Sequence, residues 1–322
     1  DLRSLNGALR YRETSPTRLT RSWNSAIHVT RSTNFDGDVL EQRVTSENHA
    51  QFSNFWSLRL IANVQPSSLD DRLTRGGPLA RRPRSFFVEA EVDSDGRRPL
   101  VVELAHNRSG DTQGEWSHST SLELSARPAS AVRLSLGAEY TRQFNLDQFV
   151  SVATDPLATA TFGRRFVFGN IEQRELEMEL RAEWILSPRL SLQTYLEPLV
   201  SSGRFDRYKE LRQPGSYDYT VYGVDAGSID RDDGVVRVDP DGTGPASPFQ
   251  FADRDFTVRA LRGNAVLRWE FRAGSTLYVV WQQQREAEEE FAQLGATRRP
   301  MEAFRIPSQN VLLMKVAYWF GR

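Results

Sequence analysis

Between Leu176 and Leu186 the side chains sort by parity. Leu176, Met178, Leu180, Ala182, Trp184 and Leu186 hold the even positions, and Glu177, Glu179, Arg181 and Glu183 hold odd ones. A strand sends alternate side chains to opposite faces, so this stretch has one apolar face and one charged face. Glu, Leu, Met and Arg also favour helices. At helical spacing, however, the charges would spread around the cylinder, whereas period two separates them. The same division recurs in Phe86, Val88, Ala90 and Val92 against Glu89 and Glu91. It recurs again in Val132, Leu134, Leu136, Ala138 and Tyr140 against Arg133, Ser135, Gly137 and Glu139. Near the end, Ala265, Leu267, Trp269 and Phe271 oppose Val266, Arg268, Glu270 and Arg272. Whatever this chain folds into must shelter a broad apolar sheet face and leave the other face in water.

The C-terminal stretch Asn310–Phe320 adds a constraint. Leu312, Met314, Val316, Tyr318 and Phe320 share one face, against Val311, Leu313, Lys315, Ala317 and Trp319. An apolar band ending in aromatics suits the lipid-facing wall of a transmembrane β-barrel. A buried strand of a soluble sandwich is the competing interpretation. An aromatic close to the C-terminus also resembles the strand by which barrel assembly machinery recognises outer-membrane substrates, although here two residues follow Phe320.

Connection lengths separate the two interpretations. Turns around Pro16, Asp95, Pro128, Pro188 and Gly274 are short, whereas 66–83, 142–171, 202–255 and 286–308 read as long connections. Tight turns at one rim and large loops at the other are what a membrane barrel needs. The expected fold is therefore all-β, an antiparallel up-and-down transmembrane β-barrel of the bacterial outer membrane. Strand counting over residues 1–322, taken as one domain, gives about 13–14 strands; single-chain barrels usually have an even number, so either one boundary is misread or further strands of a larger barrel precede Asp1. Glu286 to Leu294 reads as a short helix or a loop. The chain opens at Asp1 with neither initiator Met nor leader, which reads as a piece of something longer.

Composition removes several classes. Cysteine is absent, which excludes disulfides and thiolate metal sites. With 41 basic and 42 acidic residues there is no basic excess to attract nucleic acid. No run approaches the roughly 20 apolar residues of a membrane helix. Gly-x-Ser-x-Gly, His-Glu-x-x-His and the Gly-rich phosphate loops are missing.

Several stretches resemble a known family. They are Asp70-Asp-Arg-Leu-Thr-Arg-Gly-Gly-Pro-Leu79, Asp155-Pro-Leu-Ala-Thr-Ala-Thr-Phe-Gly-Arg164, Val238-Asp-Pro-Asp-Gly-Thr-Gly244, Leu261-Arg-Gly-Asn-Ala-Val-Leu-Arg-Trp-Glu270 and Asn310–Phe320. The chain is similar to the DUF5916 barrel domain of bacterial outer-membrane proteins that carry an N-terminal family-9-like carbohydrate-binding module. The resemblance implies an outer-membrane location and a link to glycan or polymer handling. It supplies no catalytic residues.

On this reading Arg133, Glu139, Glu177, Glu179, Arg181, Glu183, Arg268, Glu270 and Arg272 face a lumen, with Gln193, Tyr195 and Glu197. Trp184, Trp269, Phe271, Tyr318 and Phe320 form the lipid-facing girdle, with Leu176, Met178, Leu180, Ala182, Leu190, Leu192 and Leu196 between. Asp239-Pro-Asp-Gly242 resembles part of a calcium loop, with Asp239 and Asp241 as ligands; an acidic solvated turn is the simpler interpretation. His28, His49, His106 and His118 are scattered, and only His106 and His118 are placed to approach each other. The expected function is an outer-membrane pore or transport-type component that handles carbohydrate or polymer. Its expected partners are the bilayer, the barrel assembly machinery and glycans. The alternatives are a membrane anchor for a carbohydrate-binding module and a surface hydrolase with its site in the external loops. No catalytic activity is expected of the segment itself.

Overall fold

A computed structural model describes residues 2–320, so the two residues after Phe320 noted above lie outside it. The chain is a meander of antiparallel strands. The main sheet is built from β1 (Arg3–Glu13), β2 (Thr20–Thr33), β3 (Val39–Phe52), β4 (Ser57–Gln65), β7 (Ser85–Asp93), β8 (Leu100–Asp111) and β9 (Trp116–Ala129). It continues through β10 (Val132–Thr154), β11 (Arg164–Ser187), β12 (Leu190–Leu211), β17 (Phe256–Arg272), β18 (Ser275–Glu289) and β19 (Gln309–Ala317). Small strands fill the connections: β5 (Ser68–Asp70), β6 (Ala80–Arg82), β13 (Tyr219–Val221), β14 (Ser228–Asp232), β15 (Val235–Asp239) and β16 (Phe249–Ala252). Each main strand pairs with its neighbours in chain order. β1 and β19 are not hydrogen-bonded to each other, so among the described residues the sheet does not close.

The register is the one the parity pattern demands. Leu180 lies opposite Leu136 and Leu196, and Trp184 opposite Val132 and Leu192. Both apolar rows of the 173–200 hairpin therefore share one face, and a slip of one residue would scramble them. That apolar face is widely exposed, and on β4 and β7 it is the more exposed of the two, whereas on β11 Glu177, Arg181 and Glu183 are exposed as well. On β4, Leu60, Ala62 and Val64 are exposed, whereas Ile61 and Asn63 are half-buried and Gln65 is buried. On β7, Phe86 and Val88 are exposed and Phe87 and Glu89 half-buried; on β8, Leu104 is exposed and Ala105 half-buried. A soluble half-buried sheet does the opposite. On β4 and β7 the covered side chains are those of the polar face, as on the inner surface of a curved sheet.

Two of the expected long connections are largely strand. Of 142–171 only 155–163 leaves the sheet, and β12 runs on to Leu211. Crossing a bilayer takes about 9–11 residues of tilted strand, so β10, β11 and β12, with 23, 24 and 22 residues, stand well beyond any such band. β18 likewise continues to Glu289, through the stretch read above as helix or loop, and β19 stops at Ala317.

The tall strands carry a folded cap with the conventional core the rest of the sheet lacks. Val167, Ile171, Phe205, Tyr208, Val236, Val238 and Phe251 pack together, with Ile229 and Phe249 against them. Phe166, Phe168, Leu211 and Ala80 form a second cluster with Leu73, Phe149 and Tyr219. Neighbouring residues of β11 thus enter different clusters, so its extension is covered on both faces.

Candidate functional site: a polar concave face beneath a folded cap

The polar face is dominated by carboxylates. Glu103 lies directly opposite Glu123, and Glu139 directly opposite Glu177. With Glu91 and Glu179 these line a cleft of about 370 Å3. Like charges directly opposite on paired strands are unfavourable, and only some are compensated. Arg59 bridges Glu89 (3.1 Å) and Glu91, and Arg181 pairs with Glu179 at 2.7 Å. The Ser119 hydroxyl donates to Glu139 at 2.6 Å, and the Tyr195 hydroxyl donates to Glu197 at 2.5 Å.

Above this acidic belt the loop 66–83 meets the far side of the sheet. Gly215 N–H donates to the Leu79 carbonyl (2.7 Å), and Arg81 N–H to the Ser216 carbonyl (3.0 Å). β7 and β12, from which these segments spring, are five strand steps apart, or about 24 Å along the sheet. The loop's residues Asp70, Leu73 and Arg75 adjoin Glu115, Asn145 and Phe149 in one cavity of about 440 Å3. Glu115 and Asn145 also border a second, of about 430 Å3, with Asn63, Gln65, Phe87 and Asp111 of the polar face. The loop therefore crosses over the concave side.

A buried polar node lies under this crossing. Glu115, in the turn between β8 and β9, accepts the Leu146 N–H at 2.6 Å. Burial, reinforced by the neighbouring Asp147 carboxyl, pushes the Glu115 carboxyl up to about 8, so it is largely protonated at neutral pH. Lys209, only 6% exposed, lies 4.5 Å from the Tyr219 ring and 3.4 Å from the Asn170 amide oxygen. Gln65 Nε2, Ser68 Oγ, Asp111 Oδ2 and the Tyr217 and Tyr219 hydroxyls are also buried without a protein partner. Such groups normally find water or a ligand.

Residues 1–321 match the family described as Domain of unknown function (DUF5916). The chain belongs to the DUF5916 family. No curated protein matches it.

In this DUF5916 domain the residues singled out by parity fall as follows. Arg133 and Glu183 are cross-strand partners and bridge at 3.2 Å. Arg268 and Glu270 sit 4.0 Å apart on β17. Arg272 lies at a register shift beside the hairpin and donates to the Tyr318 hydroxyl at 2.6 Å. Trp184 is 51% and Phe320 86% exposed. Trp269, Phe271, Tyr318 and Phe320 form a chain of ring contacts with centroid distances of 6.0, 6.4 and 4.7 Å. Asp239 accepts the Gly242 N–H and Asp241 the Ala246 N–H, both at 2.9 Å, so both carboxylates close turns. Among the described residues no three His, Asp or Glu side chains converge as a metal site. His106 and His118 do approach, with ring centroids 6.2 Å apart, and His106 Nδ1 lies 2.8 Å from the Thr120 hydroxyl. Neither is ion-paired with a carboxylate among the described residues. His28 lies 3.6 Å from Glu47.

The node and the cap were not foreseen from parity, because they lie where alternation breaks at the bulges around Asn145–Ser151 and Phe168–Asn170. A signal did exist. Stretches that read as loops hold Phe162, Phe166, Phe168, Phe205, Tyr208, Tyr217, Tyr219 and Tyr222, more aromatic area than solvated loops need.

Proposed function

We propose that this domain is a wall of a bacterial outer-membrane β-barrel that serves as a pore or transport-type component, its mouth roofed by the cap. The apolar face carries the reading: Leu60, Val88, Leu104, Leu122, Leu134 and Leu180 are all exposed along it. In water that face is a liability for aggregation, whereas in a bilayer it is the required lipid contact. The aromatic chain ending at Phe320 supports an interfacial girdle and delivery by the barrel assembly machinery. The link to carbohydrate or polymer cargo rests on the family resemblance. A strand between β1 and β19, from this polypeptide or another, would complete the wall.

The Glu103–Glu123 and Glu139–Glu177 pairs, which have no ion-pair partner among the described residues, supply the selectivity this reading implies. A water-filled lumen lined by them favours cations and disfavours anionic polymers. In planar bilayers the protein is expected to show discrete conductance and a reversal potential on the cation-selective side. Glu139→Gln with Glu177→Gln shifts that potential towards zero. Conductance with anion preference would refute the lumen assignment.

The roof favours one second reading, a closed barrel that anchors a carbohydrate-binding module. Loop 66–83 is tied across the mouth by the Leu79–Gly215 and Arg81–Ser216 bonds. A barrel that inserts and shows heat-modifiable gel mobility, yet stays silent until the loop is cut, decides for the anchor.

A further inference from the structure

Beyond the apolar band, the face of β8–β11 that carries Leu104, Leu122, Ala138 and Met178 also carries a row of cations. Arg108, His118, Arg142 and Arg174 are successive cross-strand partners, so their side chains stand next to one another on one face. The following row holds Trp116, Phe144 and Glu172, with Arg204 opposite Glu172 on β12.

Directly opposed like charges cost stability, and Arg142 faces Arg174. Glu172 is the one carboxylate in these rows. It accepts hydrogen bonds from Arg174 (2.7 Å), Arg142 (2.9 Å) and Arg204 (3.4 Å). Arg108 has no ion-pair partner among the described residues. Four guanidiniums against one carboxylate leave an excess of three positive charges. Aromatic rings lie among them: Arg142 sits 5.1 Å from the Trp116 ring, and Trp116 stacks on Phe144 at 6.5 Å. Mixed rings and guanidiniums at the edge of an apolar band are characteristic of a headgroup zone.

We propose that this ribbon binds the phosphate groups of an anionic glycolipid headgroup in the outer leaflet. The proposal rests on the membrane-barrel reading above. Guanidinium forks match phosphate oxygens in pairs and carry their charge at every relevant pH. From Arg108 to Arg174 is three strand steps, about 14 Å, long enough to meet more than one phosphate.

The test uses the protein folded into phosphatidylcholine vesicles, with insertion scored by heat-modifiable mobility and protease protection. Binding of diphosphoryl lipid A is then compared with that of its dephosphorylated form and of free inorganic phosphate. The expected result is preferential retention of diphosphoryl lipid A that weakens with salt. Arg142→Gln combined with Arg174→Gln should weaken it about tenfold or more, while Arg142→Lys keeps part of it. Both variants must insert like the parent protein. Insertion without any preference for the phosphorylated lipid overturns the proposal and leaves the barrel reading standing. Failure of the parent protein to insert overturns both. Equal competition by inorganic phosphate, or retention unchanged in the double variant, also overturns it.

Discussion

Replacing Leu180 by arginine distinguishes a membrane wall from a curved soluble sheet. Leu180 lies in the row Leu136–Leu180–Leu196, inside the apolar band, and is 38% exposed. On a water-facing surface the change should stay within about 0.5 kcal/mol. In the hydrocarbon midplane an arginine costs about 2–4 kcal/mol. The control is Glu177→Arg, three residues away on the other face. It replaces the Glu139–Glu177 repulsion by attraction, and a cross-strand pair of this kind is worth about 0.2–1 kcal/mol. In lipid vesicles, guanidinium unfolding followed by tryptophan fluorescence should show a loss of about 2–4 kcal/mol for Leu180→Arg. Glu177→Arg should be neutral or slightly stabilising. The reasoning is refuted if Leu180→Arg is silent in vesicles that contain the inserted protein, or if Glu177→Arg is the costlier change.

The chain has no native thiol, so single cysteines at 180 and 181 report the two faces directly. A water-soluble maleimide should label position 181 and spare 180 in membranes, and the reverse pattern would invert the assignment. Glu115→Gln tests the buried node. The Glu115 carboxyl is raised on folding from about 4.5 to about 8, so the folded state binds the extra proton. Its contribution is fully present below about pH 4.5 and is lost as pH rises through about 8, at no more than about 1.4 kcal/mol per pH unit. The glutamine variant should flatten that dependence in melting profiles taken across the window; an unchanged slope would place the titration elsewhere. A Cβ on Gly77 would lie 2.2 Å from the Phe166 ring. Gly77→Ala should therefore cost about 1–3 kcal/mol and speed proteolytic cutting within 66–83; unaltered cutting would show that the loop is not seated there.

The antiparallel sheet was legible in the sequence because period two is a local property. Leu176–Leu186 against Glu177–Glu183 needs no knowledge of distant residues to assign its faces, and the register followed from the short Ser187–Pro188–Arg189 turn. The cap was not legible, because its order comes from contacts such as Gly77 with Phe166 and Leu79 with Gly215, far apart in the chain. Bulges in β10 and β12 also shift the alternation where the strands leave the band. Nothing in Asp111–Glu115 tells that β10 and loop 66–83 will bury Glu115.

The up-and-down order of the main sheet has a kinetic consequence. Most hairpins close over a few residues, so most pairing steps tie a small loop, and contacts accumulate at low sequence separation. Residues 66–84 and 290–308 are longer connections, and the largest is the joint between β12 and β17, which must gather residues 212–255 before Gly203 can meet Phe256. Closing a flexible loop of that length costs about 3 kcal/mol more than closing a two-residue turn. The β14–β16 sheet shortens the effective loop, because Ser228–Ala252 can pair with itself first. Assembly of the wall is therefore expected to pause at this joint until the cap's own hairpins have formed, which makes the cap a folding checkpoint for the strands that follow it.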